Sequence, residues 1–201
     1  MSTAAMLKPV ASKPHHGPGR PRSEAAEKAI LEATLRLLAE LGYGGLTMDK
    51  VAAEARVSKA TMYRRWPSKV HLVITAFSQL PELPCPNTGN LRQDLIDVLS
   101  SFLLITQNTS LAGVLPTLAG ERARIPELAD YLDEATRQRR EPVKQVLQRA
   151  IKRGDLPAKT DVELAIDLVM SPLVMRIFFT NNPADIRFLE QVIDHTLKGL
   201  K

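Results

Sequence analysis

The sequence predicts an all-α chain, with a small helix-turn-helix unit near the N-terminus and a larger helical region after it. Three observations predict this. Apolar residues recur at helical spacing from about residue 30 onward, and no stretch alternates convincingly like a strand. Hydroxyl residues stand just ahead of helical runs at Thr47, Ser58 and Ser68, where a helix wants an N-cap. Finally, "PELPCPNTGN", residues 81–90, breaks the helical pattern with prolines and a glycine.

The elements follow in order. Residues 1–22, "MSTAAMLKPVASKPHHGPGRPR", contain no acid and are rich in Pro, Gly, Lys and Arg, which reads as a disordered basic arm. Ser23 is expected to cap the first helix, with Glu24 and Glu27 near its positive end. Ile30, Thr34, Leu37, Leu38 and Leu41 then recur along it, and Gly42 stands where a left-handed residue closes a helix. Thr47 caps a short helix over 48–55, stapled by Leu46 and Val51. Arg56 and Val57 form a turn. Ser58 caps a third helix that Pro67 ends, and Ser68 caps a fourth that runs to about Leu80.

Residues 81–90 read as a linker between an N-terminal domain, 23–80, and a C-terminal domain, 91–201. Helices are expected at 91–108, 111–124, 127–153, 161–181 and 184–200. Pro142 and Pro172 should kink two of them.

Composition narrows the function. The 201 residues carry a formal charge of +5, concentrated in the arm and in 56–69, which points to a polyanionic partner. Hydrophobic residues make up 44% of the chain, enough for a real core. The single cysteine, Cys85, precludes an intrachain disulfide, and no Cys/His spacing suits a metal. No cofactor motif is present. No apolar run reaches the roughly 18 residues of a membrane span, and the N-terminus lacks the apolar core of a secretion signal, so no membrane partner and a cytoplasmic location are expected.

The stretch "VSKATMYRRWPSK", residues 57–69, carries the chemistry. Two short helices joined by a tight turn place the second in a DNA major groove. At roughly 100° per residue, Met62 and Trp66 share an inward side facing Val51, Ala52 and Leu37. Ala60, Thr61 and Arg64 lie opposite, with Lys59, Tyr63 and Arg65 on the flanks. Arg64 can pair with guanine, while Ala60 and Thr61 allow close approach and meet a thymine methyl. Lys59, Tyr63, Arg65 and Lys69 suit phosphates, as do the helix starts at Thr47 and Ser58.

With these residues in view, "LTMDKVAAEARVSKATMYRRWPSKVHLV", residues 46–73, resembles the DNA-binding signature of the TetR/AcrR family of transcriptional regulators. The resemblance covers about residues 24–80. It implies a three-helix DNA-binding domain, a linking fourth helix, and a larger all-α domain for dimerisation and effector binding. It implies a double-stranded operator as partner and, most often, repression. It departs at Arg56, where the family commonly has glycine, and Arg56 is either spared left-handed geometry or kept for a phosphate. Trp66 stands where an aromatic such as Phe is usual.

"GPGRPR", residues 17–22, is similar to an AT-hook core. Arg20 and Arg22, extended by Pro21, are candidates for the A·T minor groove, with a solubilising tail as the other reading. A palindromic site needs a two-fold protein, so Val174, Phe178, Leu189, Val192, Ile193 and Leu197 on the last two helices are candidates for a homodimer interface. Phe102, Leu115, Leu118, Tyr131, Met170 and Phe178 are candidates for a pocket that takes an apolar or aromatic effector. Two rivals remain: an architectural DNA-binding protein without operator choice, and a small helical enzyme. No paired acid and base favours the latter, and no catalytic residue is assigned.

Overall fold

The computed structural model describes residues 20–109, 111–180 and 182–200, with side chains from Glu24 onward. Within them the chain is helical throughout: α1 Arg20–Gly45, α2 Met48–Glu54, α3 Lys59–Arg65, α4 Lys69–Ser78, α5 Leu91–Asn108, α6 Leu111–Glu121, α7 Pro126–Arg153, α8 Val162–Phe179 and α9 Ile186–Gly199. No single helix among the described residues is long and apolar enough to cross a membrane.

Caps set most of the boundaries. Thr47, Ser58 and Ser68 accept the N–H of Lys50, Thr61 and His71, as their positions predict. Asn90, Asp161 and Asp185 do the same for α5, α8 and α9. Gly154, with φ +85°, closes α7. At Gly42 the backbone has φ +68°, so the regular helix breaks after Leu41 and one further turn carries α1 to Gly45.

One expectation is corrected. α1 begins at Arg20, not after a Ser23 cap. Pro21 then falls in the first turn, where a missing N–H costs nothing, and the backbone of Arg20 and Arg22 is helical rather than extended. The arm before Arg20 lies outside the described residues. Pro142 and Pro172 do not interrupt their helices; α7 and α8 run through them unbroken.

The two cores do not divide at residues 81–90. One core joins Ile30, Leu38, Val51, Met62, Trp66 and Leu72 of α1–α4 to Val114 and Leu118 of α6 and Leu128 of α7. A second joins α5, the later part of α7, α8 and α9 through Leu95, Leu99, Val146, Ile166, Leu173, Leu189 and Ile193. The 81–90 segment therefore lies between stretches of sequence that share a core. It is also pinned: Leu83 is buried in the second core, Arg149 donates to the Pro86 carbonyl at 2.5 Å, and Thr88 donates twice to the buried Asp94.

The α1–α6 contact is close. A Cβ placed on Gly113 of α6 would stand 3.2 Å from the Ala39 Cβ on α1, and one on Gly42 would stand 3.1 Å from Thr117. Leu118 is fully buried where α6 meets this core. Leu118→Ala should therefore destabilise by about 2–5 kcal/mol. Trp66 fluorescence, which reports only the N-terminal unit, and far-ultraviolet circular dichroism should lose signal in one coincident denaturant transition. Two separated transitions would show that the shared core does not couple the halves.

Candidate nucleic-acid interface

The α2–α3 turn follows from its hydrogen bonds. Val57 N–H donates to the Ala52 carbonyl at 2.9 Å and Arg56 N–H to the Ala53 carbonyl at 3.1 Å. This pair of bonds ends a helix with its penultimate residue left-handed, and Arg56 has φ +54°. The turn keeps the left-handed geometry, at a cost to a residue with a Cβ of about 1–2 kcal/mol. The Arg56 side chain is exposed and makes no hydrogen bond or ion pair with any described residue.

α3 is set by its inner face. Met62 is fully buried and Trp66 nearly so, packed with Val51 and Ala52, while Leu37 and Val57 close the edge. That pose leaves Lys59, Ala60, Tyr63 and Arg64 exposed on the outer side, with Thr61 half-buried between Ser58 and the helix. The Ser58 and Thr61 hydroxyls lie 2.9 Å apart. Arg64 has no partner among the described residues.

Three of the expected phosphate-binding cations already have partners. Lys59 meets Asp49 of α2 at 2.6 Å, and that hydrogen bond raises its pKa. Arg65 meets Glu27 of α1 at 2.6 Å, tying the end of α3 to the first helix across 38 positions. Lys69 donates to the Tyr43 carbonyl at 2.8 Å and lies 4.0 Å from the Tyr43 ring centre. Burial holds its pKa below the usual value, with Glu121 pulling the other way. Lys69 thus faces the turn after Gly42 rather than standing free for DNA. The Lys59 pair is exposed on both sides, and such pairs are worth about 1 kcal/mol or less, so a phosphate can displace Asp49.

The expected dimer and pocket residues are placed differently. Leu189 and Ile193 are fully buried in the chain's own second core, so they offer no surface to a partner. Val174, Phe178, Val192 and Leu197 are half-buried, and Phe178 packs edge-on against Phe102 with ring centres 6.5 Å apart. The exposed apolar residues nearby are Leu164, Leu168, Met175 and Phe179, on one face of α8, and Ile186 of α9. The signal for them was present, since α8 is apolar nearly all round and its other face already fills the core.

The six pocket candidates divide between the two cores. Leu115, Leu118 and Tyr131 belong with the first, and Phe102, Met170 and Phe178 with the second. They are packing residues here. A cleft of about 600 Å³ lies along α1 and the end of α4, lined by Leu31, Leu35, Leu80 and three glutamates. Another of about 320 Å³ lies between α5, the start of α6 and the end of α8, lined by Leu103, Ala112, Arg176 and Ile177 among others. None of the six candidates lines either cleft.

Comparison with known proteins follows this geometry. Residues 30–76 match the family described as bacterial regulatory proteins, tetR family. Residues 85–196 match the tetracyclin repressor-like C-terminal domain. The HTH-type transcriptional regulator YdeS of Bacillus subtilis is 33% identical, over 91% of this chain and 93% of its own. The DNA-binding transcriptional repressor TetR of Mycobacteroides abscessus is 30% identical, over 88% of this chain and 94% of its own. The solved structure of the flavonoid-responsive regulator FrrA superposes with a TM-score of 0.66 at 25% identity, covering 88% of this chain and 95% of its own.

The left-handed Arg56 gives a direct test. Arg56→Gly should stabilise the chain by about 1 kcal/mol, because glycine adopts φ +54° without strain. DNA affinity should fall in the same variant through the lost cation. A melt showing no gain would mean that the turn carries no strain at Arg56.

Proposed function

The chain belongs to the TetR family of DNA-binding transcriptional regulators, and we propose that it is an effector-released repressor that binds a palindromic operator as a homodimer. The observation that carries this is the outer face of α3. It presents exposed Ala60, Tyr63 and Arg64, with Arg64 unpaired, beside the equally unpaired Arg56. Small residues allow the helix to enter the major groove, and an exposed arginine in its last turn suits guanine O6 and N7.

Lys59 and Tyr63, with the capped starts of α2 and α3 at Thr47 and Ser58, would hold the flanking phosphates. Arg65 would act mainly by fixing α3 to α1. The Glu27 contact places the beginning of α1 beside the end of α3. An arm leading from Arg20 and Arg22 would thus leave the protein close to the DNA and could reach an adjacent minor groove. Such a regulator works where the genome is, in the cytoplasm.

Dimerisation would use the outward face of α8, where Phe179 is 63% exposed and Met175 54%. An apolar stripe of this kind marks a protein contact. An effector would bind in the C-terminal half and favour a dimer whose two α3 helices no longer match the operator spacing. The repressor name of the M. abscessus relative and the flavonoid response of FrrA support this direction.

Selection of bound sequences from a random DNA pool should return a palindrome with half-sites about one helical turn apart. Arg64→Ala should then cost about 1–3 kcal/mol at one base position and relax choice there. An unchanged ratio between operator and random DNA would favour an architectural role instead.

Met175→Glu and Phe179→Glu should each give a folded monomer by sedimentation velocity, because a charge would be left unpaired in an apolar interface. Operator affinity should fall with them. Dimers of unchanged stability in both variants would place the interface elsewhere.

A further inference from the structure

The cleft between α5, α6 and α8 has an arginine in its lining. Arg176 lines it, half-buried near the end of α8. Its guanidinium carbon lies 3.4 Å from the centre of the Phe188 ring, and Nη1 donates to the Pro183 carbonyl at 2.7 Å. No carboxylate among the described residues pairs with it. Elsewhere in this half, Arg92, Arg140 and Arg153 each meet a carboxylate at 2.6 to 2.8 Å, whereas Arg139 and Arg149, like Arg176, donate to backbone carbonyls, of Pro81 and Pro86, and have no carboxylate partner among the described residues.

A guanidinium has five N–H donors, and only one is used here. The ring and the carbonyl hold the side chain in a fixed pose, so little freedom is left to lose on binding. A partly desolvated cation without a counter-charge is costly, and an anion would relieve that cost. Leu103 and Ile177 give the same cleft an apolar wall, and its volume of about 320 Å³ matches the small end of ligand sites.

We propose that this cleft binds a small organic carboxylate. Its apolar body, an aromatic ring or short alkyl chain, lies on Leu103 and Ile177. Its carboxylate accepts hydrogen bonds from the Arg176 guanidinium in the fork geometry that arginine favours. This rests on the effector reading above and names its ligand class, adding a carboxylate to the apolar or aromatic effector expected from the sequence.

The site is also connected to the DNA-binding unit. Ala112 forms part of its wall, and the next residue, Gly113, approaches Ala39 of α1 so closely that a Cβ there would stand 3.2 Å from the Ala39 Cβ. A ligand that shifts the first turn of α6 therefore presses on α1 directly.

Calorimetry with the full chain tests this with benzoate and octanoate against their neutral amides, benzamide and octanamide. Each acid should bind about tenfold or more tightly than its amide, as a charge-assisted contact predicts. Arg176→Gln should remove that preference and leave amide binding unchanged. Arg176→Lys keeps the charge, protects against loss of fold, and should retain only part of the preference. Equal binding of acid and amide, or a preference unchanged in Arg176→Gln, overturns the proposal. An operator-release assay run alongside separates the two readings. Acid binding through Arg176 without release of DNA would uphold the site and refute effector release. Release by acids and amides alike would uphold effector release and refute the carboxylate class.

Discussion

The close packing of α1 on α6 is the constraint on which the rest of the structure depends. Gly113 and Gly42 favour it, because a Cβ at either would meet Ala39 at 3.2 Å or Thr117 at 3.1 Å, closer than ordinary contact. That contact brings Val114 and Leu118 into the core that also positions α2, α3 and α4. The recognition helix has only seven residues, too few to be stable alone. It keeps its pose because Met62 and Trp66 are buried in a core to which the C-terminal half contributes. Interiors packed at this density deform little. A change at α6 therefore moves α1 rather than being absorbed between them.

The electrostatics of the DNA-facing side are arranged around that rigid seat. The side chains of Arg56 and Arg64 have no partner among the described residues. Lys59, Arg65 and Lys69 are each engaged, with Asp49, Glu27 and Tyr43. These contacts differ in kind. The Lys59 pair is exposed and is readily exchanged for phosphate. The Arg65 pair and the Lys69 stack are partly buried and hold one element to another. Replacing them would disturb the frame that holds α3, so cations that look equivalent in the sequence divide into those left exposed and those that tie one helix to another.

Much of this was legible from the residues alone. The three hydroxyl caps, the positive φ at Gly42, and the inward turn of Met62 and Trp66 all follow from local chemistry and helical periodicity. Glu27 and Arg65 are 38 positions apart, and nothing local in either segment signals that they meet. The dimer candidates went astray for a related reason. α8 is apolar on both faces, and periodicity shows that a face is apolar without showing what covers it. Leu189 and Ile193 turned inward, while Met175 and Phe179 were left outside. The Pro/Gly-rich stretch at 81–90 does interrupt the helices, but composition could not show that the core passes across it.

That shared core limits how this architecture can be recombined. A cut at residues 81–90 looks like a natural joint for exchanging one reading head for another. It would leave Leu118 and Leu128 without the neighbours they pack on, and would set a foreign first helix against Gly113. A hybrid assembled there inherits a mismatched seam unless α6 and the start of α7 travel with the head. Evolution by shuffling is thereby steered toward drift within the intact chain, where a new operator preference and a new ligand preference must be acquired without disturbing the surface between them.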